Sequence, residues 1–167
     1  MHQIEKAVCF SSSLSIFNTT NSCGSLPAND ELDTVRRFTA ARDNQLSTAT
    51  TIAGYTNNGV VGRWAKAQRS ACPYLRPIHG LIGPGGFHLY VMDDALYNQR
   101  RREGYSDIGI VGYGVTGIGV CNASVPIYQF RRSGAAYVNQ VTQSQLSTYL
   151  PQRNGWIWEG ISFAIFA

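Results

Sequence analysis

One nine-residue pattern occurs three times at nearly equal spacing, and it commits the chain to a fold of three like units. Gly54-Tyr55-Thr56-Asn57-Asn58-Gly59-Val60-Val61-Gly62 returns as Gly104-Tyr105-Ser106-Asp107-Ile108-Gly109-Ile110-Val111-Gly112, and again as Gly155-Trp156-Ile157-Trp158-Glu159-Gly160-Ile161-Ser162-Phe163. The leading glycines stand 50 and 51 residues apart. In each copy an aromatic follows the first glycine, and the second glycine opens a short apolar run. The first glycine is expected at a helix C-cap or turn with positive φ. The second is expected at a bulge or a close backbone approach.

Weaker matches precede each anchor. Val125-Pro126-Ile127-Tyr128-Gln129-Phe130 alternates as a strand, and Thr34-Val35-Arg36-Arg37-Phe38 is its first-copy counterpart. In the second copy the match is Cys72-Pro73-Tyr74-Leu75-Arg76-Pro77-Ile78, where the second proline predicts an edge strand. A further strand follows each. Phe87-His88-Leu89-Tyr90-Val91-Met92 comes after the hairpin turn Gly83-Pro84-Gly85-Gly86, Ala136-Tyr137-Val138 lies in the third copy, and the polar Asp43-Asn44-Gln45-Leu46 in the first. Short helices are predicted next. Asp93 or Asp94 caps Ala95–Arg100, Thr142 caps Gln143–Tyr149, and Ser47–Ala53 holds at most a single turn.

Each unit therefore reads as strand, turn, strand, short helix, strand. One such unit cannot bury its apolar face alone, so three must pack about a shared axis. The expected fold class is mainly β, threefold pseudosymmetric and β-trefoil-like with short helical segments. A compact three-unit α+β repeat is the alternative. Residues 1–33 form an N-terminal cap segment, and 34–167 one domain of repeats at about 34–66, 71–116 and 124–167.

At 167 residues the chain can bury a real core, and its 14% of charged residues is low for a globular protein. No stretch is long and apolar enough for a membrane helix, so no membrane insertion is expected. The net charge is +4, and arginine supplies twelve of the fourteen basic residues. The runs at Arg36-Arg37, Arg100-Arg101-Arg102 and Arg131-Arg132 read as solvated turns. No stacking-aromatic module accompanies them, and nucleic acid is not expected as a partner. Cys9, Cys23, Cys72 and Cys121 show no metal-ligand spacing, so no metal or cofactor is expected. Their even number fits two disulfides in an exported protein, with the pairing open. The sequons at Asn18 and Asn122 lean the same way, although Met1–Lys6 opens no signal region.

The anchors, with the strands before them, resemble a family of secreted repeats that read like "LYRxY…DHFYTT…GYxxEGxxGY", borne alone by fungal secreted proteins and as appended modules by bacterial cell-wall hydrolases. The resemblance covers about residues 34 to 167. It places the family's histidine on His88, with Asn44 and Ala136 in the other copies. The aromatic two positions on falls on Tyr90, with Leu46 and Val138 opposite. The acidic residue before the second glycine falls on Glu159, with Asn58 and Ile108 elsewhere. It implies a noncatalytic module that binds glycan or cell-wall polysaccharide.

The residues themselves agree with a binding reading. No nucleophile motif surrounds His2, His79 or His88, Gly83–Gly86 lacks the Lys-Ser/Thr of a phosphate loop, and Asp93-Asp94 reads first as a helix cap. Nine tyrosines, seven phenylalanines and three tryptophans are many for this length, and aromatics beside Asn, Asp and Arg suit a sugar face. Trp156 is expected in the core, while Trp158 and Glu159 are expected at the surface. The candidate ligand-binding residues are His88, Tyr90, Asp93, Trp158, Glu159, Tyr137 and Asn139. The expected protein is secreted and lectin-like, gaining avidity from several sites or from a homo-oligomer. A protein-binding domain such as a protease inhibitor or secreted effector is the alternative.

Overall fold

The computed structural model describes residues 23–41, 43–134, 138–150 and 155–167. Cys9, the Asn18 sequon, Ala136 and Tyr137 lie outside the described residues, as does the expected cap segment up to residue 22. The chain is mainly β. Its first unit holds β1 (Leu32–Ala40), β2 (Asp43–Ser47) and β3 (Thr56–Ala65). The second holds β4 (Arg76–Ile82), β5 (His88–Val91), α1 (Asp94–Arg102) and β6 (Ser106–Gly114). The third holds β7 (Val125–Arg132), β8 (Val138–Val141), α2 (Leu146–Tyr149) and β9 (Trp156–Ile165).

Every unit uses one strand order. The first strand is central, and the second and third flank it antiparallel, as β2-β1-β3, β5-β4-β6 and β8-β7-β9. The third strands then meet one another. Ala65 of β3 pairs with Tyr113 of β6, Val115 bridges Ala164, and Phe166 bridges Arg63. These contacts nearly close the sheet into a barrel.

The anchor glycines do what their spacing predicts. Arg37 faces the two residues Asn58 and Gly59, Gly80 faces Ile108 and Gly109, and Gln129 faces Glu159 and Gly160, so all three units bulge at the same place, the second of two register shifts along each central strand. The bulge glycines take φ of 94°, 94° and 105°, which side-chain-bearing residues rarely adopt. Gly54, Gly104 and Gly155 also have positive φ, each in the turn before its third strand.

The edge-strand expectation for the second copy is corrected, because β4 lies between β5 and β6 and begins only at Arg76. Pro77 is tolerated there because pairing with β5 starts at His79, so at Pro77 only β6 is alongside. Pro126 repeats this solution, opposite Ala164 of β9 and ahead of the β7–β8 pairing that starts at Tyr128. Two arginine runs are also corrected from turns to strands. Arg36-Arg37 lies in β1 and Arg131-Arg132 in β7, while Arg100–Arg102 forms the last turn of α1, where cations complement the helix dipole. Asp93 caps α1 by accepting from the Leu96 N–H at 2.7 Å, and Thr142 caps a 3-10 turn at Gln143–Gln145 that runs into α2. No helix forms between β2 and β3.

Val35, Ile78 and Ile127 precede the first register shift of their strands and are fully buried in one cluster with Trp64, Phe163 and Ile165. Trp64 fills this centre only because Gly112 yields: a Cβ there would stand 2.5 Å from the indole. A second cluster surrounds the Cys72–Cys121 disulfide, with Leu32, Leu75, Val115 and Phe166. The bond joins residues 49 apart and ties the entry of the second unit to that of the third. Bonds of this kind contribute about 2–5 kcal/mol in small domains. Cys23 is disulfide-bonded as well. Among the described residues no helix is long and apolar enough to cross a membrane.

Candidate functional site

The second strands β2, β5 and β8 bring a polar cluster together where the three units meet. The Asp43 carboxylate is its hub. One oxygen accepts from the backbone N–H groups of His88 (2.6 Å) and Asn44 (2.8 Å), and the other contacts His88 Nδ1 (2.6 Å) and the Tyr55 hydroxyl (2.5 Å). Burial pushes the Asp43 carboxyl up, but the His88 and Tyr55 hydrogen bonds outweigh it and hold the group below its ordinary 3.8. The Tyr55 hydroxyl, hydrogen-bonded to that carboxylate, is pushed up to about 12. Four donors saturate Asp43, so the pair with His88 joins the first unit to the second. Asn44 extends the cluster to the third unit by donating to Asn139 Oδ1 at 2.5 Å and to the Gln140 carbonyl at 2.9 Å. Asn139 in turn donates to the Tyr149 hydroxyl.

Beneath it runs a chain of side-chain-to-backbone ties. Gln140 accepts from the Tyr90 N–H at 2.9 Å and donates to the Tyr90 carbonyl at 2.7 Å. The Tyr90 hydroxyl accepts from the Leu46 N–H and donates to the Leu46 carbonyl, both at 2.9 Å. Side chains of one unit thus satisfy backbone groups of Leu46, Tyr90 and Gln140 on the second strands of another, which offsets the cost of burying them. Tyr90 is 1% exposed, and its burial pushes the phenol well above its ordinary range.

These ties correct the third-copy alignment. Leu46, Tyr90 and Gln140 lie opposite Arg37, Gly80 and Gln129, which hold equivalent places beside the bulge. His88 and Asn44 correspond to Val138, opposite Arg131, rather than to Ala136, and Tyr90 corresponds to Gln140 rather than to Val138. The third-copy strand had lost both motif side chains, so only register could align it.

The second grouping lies on the outside of the third unit. Trp158 is 37% exposed and packs against Tyr128 (centroids 5.3 Å apart) and edge-on against Phe130 (5.2 Å). Tyr149 continues the row to Trp156, which is half-buried rather than in the core. Glu159 follows Trp158 in sequence but reaches the other face of β7, where it pairs with Arg131 Nε at 2.9 Å and accepts from Gln129 Nε2 at 2.9 Å.

The seven sequence candidates therefore separate. His88 and Asn139 share the inter-unit cluster, Tyr90 is a buried tie, Asp93 is an exposed helix cap, Trp158 heads the aromatic platform, Glu159 pairs with Arg131 and Gln129 on the other strand face, and Tyr137 lies outside the described residues. Sequence reading missed Asp43, Tyr55, Gln140 and Tyr128. Only the Asp43-Asn44 pair at the head of a strand signalled a polar cluster. Among the described residues no group of three or more histidine, cysteine or acidic side chains is placed to hold a metal ion.

Fold and site together define a mainly β protein of three like units with a polar junction and one exposed aromatic platform. The chain belongs to the family described as a domain of unknown function, DUF5648, whose model matches residues 33–166. No curated protein and no solved structure matches it.

Proposed function

We propose that this is a noncatalytic, secreted, lectin-like protein that binds glycan or cell-wall polysaccharide on the third-unit platform. One observation carries the reading: Trp158 presents a partly exposed ring, braced by Tyr128 and Phe130, on the outer face of the third unit. A braced, partly exposed aromatic face matches a sugar, whose C–H face stacks on a ring. The repeated strand order and bulge support a threefold, trefoil-like architecture, within which the other two units lack this aromatic. Persistence of the Cys72–Cys121 bond favours an oxidising, extracellular setting.

The test is a glycan array including chitin, glucan and peptidoglycan fragments, followed by calorimetric titration of the hits. Binding that Trp158→Ala weakens about tenfold or more in a folded protein is the expected result. An array without hits sinks the proposal.

A further inference from the structure

The turn that leads into β7 carries the sequon Asn122-Ala123-Ser124, which neither the platform nor the inter-unit cluster uses. Its backbone is held from both sides. Cys121 is fixed by its disulfide to Cys72 and donates its N–H to the Cys23 carbonyl at 2.9 Å. Ala123 donates to the Val120 carbonyl at 2.9 Å, and its own carbonyl accepts from the Gly119 N–H at 2.8 Å. Cys121 and Ala123 are buried, at 0% and 1% exposure, while Asn122 and Ser124 are both exposed. The alternation turns toward water the two side chains that a sequon needs.

Asn122 has a φ of 61°, a left-handed conformation that favours glycine, asparagine or aspartate. The backbone narrows the residue type without choosing among those three, and the side chains decide the rest. Asn29, Asn44, Asn57, Asn58 and Asn139 each hold a side-chain hydrogen bond within the fold. Among the described residues, the Asn122 carboxamide and the Ser124 hydroxyl hold none. An exposed amide without a structural partner stands two residues ahead of an exposed hydroxyl, with alanine rather than proline between them. That is the chemistry of a glycan acceptor on a surface turn, and a bulky, hydrated group attached there displaces no core contact.

We propose that Asn122 is an acceptor for an N-linked oligosaccharide. The donor is an oligosaccharide carried on a lipid diphosphate in a secretory compartment. Asn122 Nδ2 attacks the anomeric carbon, and the C–O bond to the diphosphate breaks with its electron pair leaving on the phosphate. One amide proton is lost as the N–C bond forms. The proposal rests on the extracellular part of the proposed function and is independent of the Trp158 platform.

The experiment secretes the full chain behind a cleavable leader from a eukaryotic cell, with Asn18→Gln removing the other sequon. Reduced tryptic peptides are mapped by mass before and after treatment with peptide N-glycosidase. The peptide that holds Asn122 should carry an oligosaccharide in most molecules and, once treated, read as aspartate at that position. Asn122→Gly keeps the left-handed backbone, and Ser124→Ala changes only an exposed side chain; each should lower occupancy about tenfold or more in folded protein. Ser124→Thr should retain it. An unmodified Asn122 in the otherwise native chain, or an oligosaccharide that survives Ser124→Ala, overturns the proposal. A glycan present on the leader-driven chain but missing from the chain made by its own cells supports the acceptor and overturns the extracellular reading instead.

Discussion

The bulges of the second and third units share a backbone and differ in what closes them. In the second, Asp107 lies opposite Leu81; its carboxylate accepts from the Gly109 N–H at 2.8 Å and from the Tyr97 hydroxyl at 2.6 Å. The Tyr97 hydrogen bond, followed by that of Gly109, holds this carboxyl below its ordinary value. Asn57 does the same in the first unit, accepting from Gly59 N–H at 2.8 Å. At the equivalent position of the third unit, opposite Phe130, stands Trp158, which has no acceptor to offer. Two units thus use this position to secure their own backbone. The third leaves Gly160 to hold the bend by its φ alone and turns the side chain into a surface.

If closure and recognition are separate tasks, variants should divide the same way. The largest loss is expected in the frame beneath both bulges. Asp43→Ala strands the His88 ring, the Tyr55 hydroxyl and two N–H groups, and breaking a buried pair of this kind costs about 3–5 kcal/mol. Denaturant titration measures it, and glycan affinity per folded molecule should stay as in the native chain. The same carboxylate sets an acid limit. Its folded pKa is below 3.8, so its stabilisation is complete above that pH and is lost as pH falls through the lower folded value. Asp43→Asn should flatten stability against pH in that window; an unchanged slope would assign acid sensitivity elsewhere.

Gly109→Ala and Gly160→Ala come next, each costing about 1–2 kcal/mol for a positive φ. Unequal losses would show that the two bulges are not equivalent. Trp158→Asn gives the third unit the closure of the first. Its stability should change by less than about 1 kcal/mol, while glycan affinity falls about tenfold, or ~1.4 kcal/mol. Retained affinity would refute the division. Asp107→Ala should show the smallest effect, about 0.5–1 kcal/mol of stability because the site is exposed to water, with no change in glycan binding.

Much of the scaffold was legible in the chain because it depends on local chemistry. Glycines at fixed intervals marked positive φ, Asp93 marked the start of α1, and Gly83–Gly86 marked the hairpin turn, closed by the Gly83 N–H to the Phe87 carbonyl at 2.9 Å. Less of the site could be read. His88 finds its partner 45 residues earlier at Asp43, and Gln140 finds Tyr90 50 residues earlier. No periodicity encodes such pairs. Tyr90 resembles a ligand-binding aromatic in sequence, yet its hydroxyl is occupied by the backbone of another unit.

By itself, then, the sequence determined three units, their turns, and the position of each bulge, since those follow from which residues tolerate which φ and which faces of a short strand are apolar. Tertiary packing alone decided which polar residues became ties between units and which remained at the surface. That choice depends on how the second strands converge, because desolvation requires every buried polar group to find a partner in a neighbouring unit, whereas Trp158, outside that junction, is left facing water.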